Sequence, residues 1–167
     1  MQRELYDSGE LKAKGKVTNQ LKDGKWKLYH LNGNIKGVGF FKNDHFDGEW
    51  IWYHINGKLH QIGEYEDGSL YGEWKFFHSN GKREGIGTFK NGQMDGKWIW
   101  YHTNSEIYTE LLWENGKLKE IISCFDGKGN KLDKGSLTKE GNGTRKLYDI
   151  SGKLLEMQII KDGKIVL

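Results

Sequence analysis

The sequence predicts an all-β protein, an elongated single antiparallel meander sheet of tandem β-hairpins. Three observations carry that reading. Glycine occurs 24 times in 167 residues and proline not at all. Trp, Tyr and Phe number 7, 8 and 7. One pattern recurs along the chain every 24 residues. Glycine with many large rings indicates short strands and frequent turns. The missing proline fits a sheet of mostly interior strands, where proline would delete a ladder hydrogen bond.

The repeats organise the chain in order. A partial copy ends at Tyr6 to Gly9. The first full copy begins Asp23-Gly24-Lys25-Trp26-Lys27-Leu28-Tyr29-His30-Leu31-Asn32-Gly33. The next begins Asp47-Gly48-Glu49-Trp50-Ile51-Trp52-Tyr53-His54, and the third Tyr71-Gly72-Glu73-Trp74-Lys75-Phe76-Phe77-His78. The fourth begins Asp95-Gly96-Lys97-Trp98-Ile99-Trp100-Tyr101-His102. About six repeats are counted, four of them strong, within a single domain over 1–167. The strong ones occupy 15–116, a degenerate one 117–142, and a terminal repeat or cap 143–167. In the degenerate copy Glu120 and Ile122 stand where Gly and Trp stood, and Gly143 to Gly152 returns one residue out of phase. The N-terminal start inside a repeat leaves room for an upstream signal sequence. The expected compartment is then the bacterial cytoplasm or, with such a signal, the cell envelope.

Each repeat has two strand-like runs and two turns. Asn32-Gly33, Asn56-Gly57 and Asn80-Gly81 mark the first turn, and Asp67-Gly68, Asn91-Gly92 and Asn115-Gly116 the second. A two-residue Asn-Gly loop sets Trp26 opposite Gly39, Leu28 opposite Gly37 and Gly24 opposite Phe41. The same rule sets Trp50 opposite Gly63 and Gly48 opposite Tyr65. Each ring is expected to cover the glycine across its own hairpin. In the fourth hairpin Trp98 faces Leu111 instead. With strands about 4.8 Å apart, 12 or 13 of them would extend about 60 Å.

Strand alternation places Trp26, Trp50, Trp74 and Trp98 on one face with Leu28, Trp52, Phe76 and Trp100. Tyr29, Tyr53, Phe77 and Tyr101 fall on the other. A single sheet does not bury both faces on itself, and exposed rings mark interfaces. Trp52, Phe76, Trp100, Tyr53, Phe77 and Tyr101 are therefore the candidate partner-binding residues.

The Gly-x-Trp-x-x-Tyr-x-x-Asn-Gly pattern, as at Gly24, Trp26, Tyr29, Asn32 and Gly33, resembles the MORN repeat, most closely its bacterial variant. The resemblance spans about residues 3 to 165. It implies a non-enzymatic scaffold or protein-binding module, with an antitoxin-like, immunity-like or cell-envelope role. A protein partner is the first expectation, membrane phospholipid or glycan the alternative, and self-association is compatible with both. A weaker resemblance, to choline- and glucan-binding wall repeats, adds choline to the alternative ligands.

No enzyme chemistry is expected. No catalytic residue carries over from the resemblance, and no phosphate loop or dinucleotide fingerprint appears, so cofactors are none. His30, His54, His78 and His102 repeat every second strand, about 9–10 Å apart, too far to share one ion. Polar strand-end residues are the expected role, and metal ligands none. Asp126-Gly127-Lys128-Gly129-Asn130 has lysine where a calcium loop needs oxygen, so a turn is expected. Cys124 occupies the column of Leu28 and Trp52, which makes it a core thiol. The net charge is only +3, although residues 1–46 hold nine Lys/Arg against five Asp/Glu. Without a dominant basic groove, nucleic acid is not an expected partner.

Overall fold

The computed structural model describes residues 1–167. It contains fifteen strands and no helix. They are β1 (Gln2–Leu5), β2 (Leu11–Thr18), β3 (Leu21–Tyr29), β4 (Ile35–Lys42), β5 (His45–Tyr53), β6 (Leu59–Glu66) and β7 (Ser69–Phe77). There follow β8 (Arg83–Lys90), β9 (Gln93–Tyr101), β10 (Ile107–Glu114), β11 (Lys117–Cys124), β12 (Gly135–Leu137), β13 (Gly143–Tyr148), β14 (Leu154–Lys161) and β15 (Lys164–Ile165). In the larger sheet β1 to β11 follow chain order, and β12 to β15 form a second, four-stranded sheet. The chain divides into two compact units, Met1–Gly81 and Lys82–Leu167.

Two kinds of turn alternate. In the second kind both central residues lie in the left-handed region, as at Asp67-Gly68 (φ +46° and +81°) and Asn91-Gly92 (φ +51° and +73°). These are two-residue type I′ loops. Asn19-Gln20 and Asn43-Asp44 adopt the same conformation without any glycine, which is why the dipeptide signal missed them. The first kind differs from expectation. The His30 N–H donates to the Asn34 carbonyl at 2.8 Å, and the Gly33 N–H to the His30 carbonyl at 2.9 Å. The loop is therefore three residues, 31–33, with Gly33 at φ +83°. A register shift between Leu28 and Tyr29 absorbs the extra residue, so the predicted pairs survive. Trp26 pairs with Gly39 and Leu28 with Gly37, Trp50 with Gly63, and Trp98 with Leu111.

The rings, however, do not rest on the glycines of their own hairpins. A Cβ added to Gly39 would lie 2.3 Å from Trp50, and one added to Gly15 would lie 2.3 Å from Trp26. Gly63 stands in the same relation to Trp74, and Gly87 to Trp98. Each ring thus covers a glycine eleven residues earlier, in the preceding strand. A bulge causes this. Val38 pairs with Ile51 and Phe40 with Asp47, so Gly39 alone opposes three residues of β5. The excess arches β5 and turns the Trp50 ring back over β4. Its indole N–H donates to the Phe40 carbonyl at 2.8 Å. Trp26, Trp74 and Trp98 donate in the same way to Lys16, Glu64 and Thr88. All four indoles are fully buried. At 150–250 Å² per ring, each contributes up to about 4–6 kcal/mol of apolar transfer. The tryptophans therefore join consecutive hairpins as well as stabilising their own.

Past β11 the chain leaves the meander, where the sequence reading continued one sheet. β11 has Glu120 and Ile122 in place of the Gly and Trp of earlier copies, and two separate register shifts against β10 replace their three-against-one bulge, so no tryptophan ring is there to seat a further hairpin. Its backbone instead meets the second sheet and the segment leading to it. The Leu118 N–H donates to the Gly163 carbonyl at 2.8 Å, and the Cys124 carbonyl accepts from the Leu132 N–H at 2.8 Å. The Ile122 carbonyl accepts from Lys134 Nζ at 3.0 Å.

Candidate binding face

In the N-terminal unit one cross-strand row runs along the tryptophan face. The pairing is Glu4, Ala13, Leu28, Gly37, Trp52, Gln61, Phe76, one residue per strand from β1 to β7. Trp52 lies on Gly37, where an added Cβ would be 2.7 Å from its ring. It stacks beside Trp50, with centroids 5.0 Å apart, and meets Phe46 edge-on at 5.7 Å. Trp52, Tyr53, Phe76 and Phe77 are all half-buried. The row therefore joins Trp52 and Phe76, while Tyr53 and Phe77 stand at the turn ends of β5 and β7.

Two cavities open along this row. One, of about 420 Å³, is lined by Trp52, Tyr53 and Gln61 together with His30, His54, His60, Ile55 and Lys36. The other, of about 330 Å³, lies over Ala13, Leu28, Phe41 and Phe46 and is rimmed by Glu4, Lys12, Lys22 and Lys36. Lys36 lines both. Leu28 is smaller than the Trp52 and Phe76 that hold its position in later repeats, which leaves the second cavity open. Lys22 occupies the repeat position of Phe46 and Leu70. Its ammonium sits 2.9 Å from Glu4, 4.7 Å from the Trp26 ring centre and 5.2 Å from that of Phe41. Sequence reasoning passed over Lys22, Lys36 and this cavity. A charge in an otherwise apolar column, beside an undersized Leu28, was the available signal.

The C-terminal unit repeats part of the arrangement. Trp100 lies on Gly85, pairs with Thr109, and stacks beside Trp98 at 5.5 Å. Tyr101 pairs with Ile107 and is half-buried, as is Trp100. Thr109 pairs in turn with Cys124, whose thiol is buried, and burial pushes its pKa up. A thiol held protonated is a poor nucleophile. Asp126 caps a turn: its carboxylate accepts from the Asn130 side-chain amide and from the Asn130 and Lys128 backbone N–H groups, each at 2.8 Å. Those bonds, the Asn130 side chain foremost, hold its carboxyl below the usual range.

The histidine ladder is structural in the same sense. His30 Nε2 bonds the Tyr53 carbonyl at 2.9 Å, His54 Nε2 that of Phe77 at 2.7 Å, and His102 Nε2 that of Phe125 at 2.9 Å. A carbonyl only accepts, so Nε2 carries the proton in each ring. Tyr6, one repeat before His30, makes the equivalent bond to the Tyr29 carbonyl at 2.7 Å. The turn asparagines add a parallel set: Asn32 to Ile55, Asn56 to Ser79 and Asn104 to Gly127. These bonds tie the turns at His30, His54 and His102 to the segment one repeat later and commit one imidazole nitrogen of each of the three rings. No three His, Cys, Asp or Glu side chains converge as a metal site would require.

The arrangement offers recessed rings, amides and ammonium groups, which suit binding. Comparison with curated proteins finds no match. The family model described as MORN repeat variant matches four consecutive segments, 22–43, 46–67, 70–91 and 94–115. These segments cover more than half of the chain and coincide with its four strong repeats. Repeats of this kind generally serve as non-catalytic binding modules. The chain belongs to the MORN repeat variant family.

Proposed function

We propose that the chain is a protein-binding repeat module whose partner contacts the half-buried rings Trp52, Phe76, Trp100, Tyr53, Phe77 and Tyr101. The observation that carries this reading is the cavity beside Trp52 and Tyr53, about 420 Å³ in volume. It leaves ring surface recessed yet reachable, with a polar rim, which is the form of an interface anchor site. The bacterial resemblance supports an antitoxin-like, immunity-like or envelope role as the specific version.

Photo-crosslinking tests the site. A benzophenone amino acid at Tyr53 or Tyr101 should capture one and the same protein from the native host. A probe at exposed Lys153 should not. Partner yield should fall about tenfold or more in Trp52→Leu and Trp100→Leu, scored only for variants that unfold cooperatively. Unchanged yield in folded variants of both sites would remove the assignment. Co-expression with the protein encoded next door separates the antitoxin version from the general one, because rescue of growth is specific to it.

A further inference from the structure

The trough in the N-terminal unit has a chemistry of its own. It rests on the binding-module reading above and narrows what the partner presents there. Lys12, Lys22 and Lys36 rim it, against one carboxylate, Glu4. That carboxylate is already engaged, 2.9 Å from Lys22 Nζ. Lys36 is exposed, makes no ion pair and lines both cavities. The cavity beside Trp52 has no acidic residue in its lining, only Lys36 and three imidazoles among its polar groups besides Gln61 and the Tyr53 hydroxyl. The floor is apolar: Ala13 and Leu28 under one cavity and Trp52 beside the other, with Gly37 between them covered by the Trp52 ring, one residue per strand across β2 to β5. Three strand spacings make that floor about 14 Å long, the length of four or five extended residues.

We infer that this trough seats an extended acidic segment of the protein partner, with carboxylates over Lys36 and Lys12 and alternate apolar side chains in the two cavities. Two other anionic ligands fit less well. Stacking on a sugar needs an open ring face. Phe46 instead has rings around it, with centroids of Phe41, Trp50 and Tyr65 at 4.7, 4.6 and 5.0 Å. An anionic lipid surface is flat, whereas the apolar groups here are recessed between lysines. The backbone groups of β2 to β5 are spent on their own ladders, so recognition is by side chains, and charge sets it.

The test uses the full chain and two capped pentapeptides of alternating leucine and residue X, with X as glutamate or glutamine. Indole and lysine resonances follow binding by NMR, and calorimetry gives affinity. The glutamate peptide should bind about tenfold or more tightly than its glutamine twin. It should shift Trp52 and Lys36 signals and weaken as salt rises from about 50 to 500 mM. Lys36→Glu should cost about tenfold and Lys36→Gln less, with unchanged unfolding temperatures because the side chain is exposed. Equal binding of both peptides would end the acidic proposal and leave the binding-module reading standing. Binding of neither would also end it, while crosslinking from Tyr53 and Tyr101 judges the broader reading alone. If polygalacturonate or phosphatidylserine vesicles shift these signals and the glutamate peptide does not, the trough takes a glycan or a lipid and the proposal falls.

Discussion

The ring of Trp50 covers Gly39 so closely that a Cβ there would sit 2.3 Å from it. Gly39 and Trp50 lie in consecutive repeats, so this contact joins one repeat to the next. The geometry separates two classes of glycine. Gly39 is required for space. Gly48 is required for its conformation, at φ +65° with nothing within 4 Å of an added Cβ. Gly39→Ala should therefore cost about 3 kcal/mol or more, because the buried indole must move. Gly48→Ala should cost only the left-handed penalty, about 1–2 kcal/mol. Chemical denaturation measures both. Combining each with Trp50→Leu should relieve the Gly39 penalty and leave that of Gly48 additive. Equal coupling in the two cycles would refute the distinction.

Trp50→Phe keeps an aromatic ring and removes the donor. The Phe40 carbonyl then loses its bond from the indole and the pocket loses volume. The expected loss is about 2–4 kcal/mol by urea unfolding. A loss under about 1 kcal/mol would mean that the indole N–H is dispensable.

The ladder of turn-to-turn bonds predicts different fates for two histidines. His54→Ala removes the bond to the Phe77 carbonyl and should cost about 1 kcal/mol. Asn56→Ala removes the bond to the Ser79 carbonyl and should cost about as much. His45 is exposed and lies outside the ladder, so His45→Ala should stay within about 0.5 kcal/mol of wild type. Amide exchange localises the effect: protection should drop in the turns of β5–β6 for the first two variants and nowhere for the third.

Glu110 makes stability depend on acid in a defined direction. Lys97, 2.6 Å away, foremost, and then Ser123, hold its carboxyl below the usual range. A depressed folded pKa means the stabilisation is fully present above the unfolded value, about 4.3. It is lost as pH falls through the lower folded value. Thermal unfolding between about pH 6 and pH 2.5 should show a shallower acid decline in Glu110→Gln than in wild type. Parallel curves would show that the Lys97 and Ser123 contacts do not favour the charged form.

Several features were legible in the residues alone. A fixed 24-residue period, with Asn-Gly and Asp-Gly at constant offsets, determined the hairpins, their order and the pairs Trp26 with Gly39 and Trp50 with Gly63. These follow from sequence because alternation and turn chemistry act over a few neighbouring residues. The family followed for the same reason. Asn43-Asp44 was illegible as a type I′ turn, since either residue adopts a left-handed conformation only in a context that the flanking strands supply.

Tertiary structure alone decided which glycine each ring covers. That choice depends on the three-against-one bulge at Gly39, and a bulge is a property of two strands together. It also decided that Lys36 belongs to two cavities at once, and that β11 hands its backbone to a second sheet. The candidate rings were named from periodicity, but their half-burial and their cavities arise where chain segments 10 to 24 residues apart meet. The repeat thus determined what is common to every hairpin. The cavity over Ala13 and Leu28 comes from the places where Leu28 and Lys22 depart from the repeat, and packing alone shows what such departures leave open.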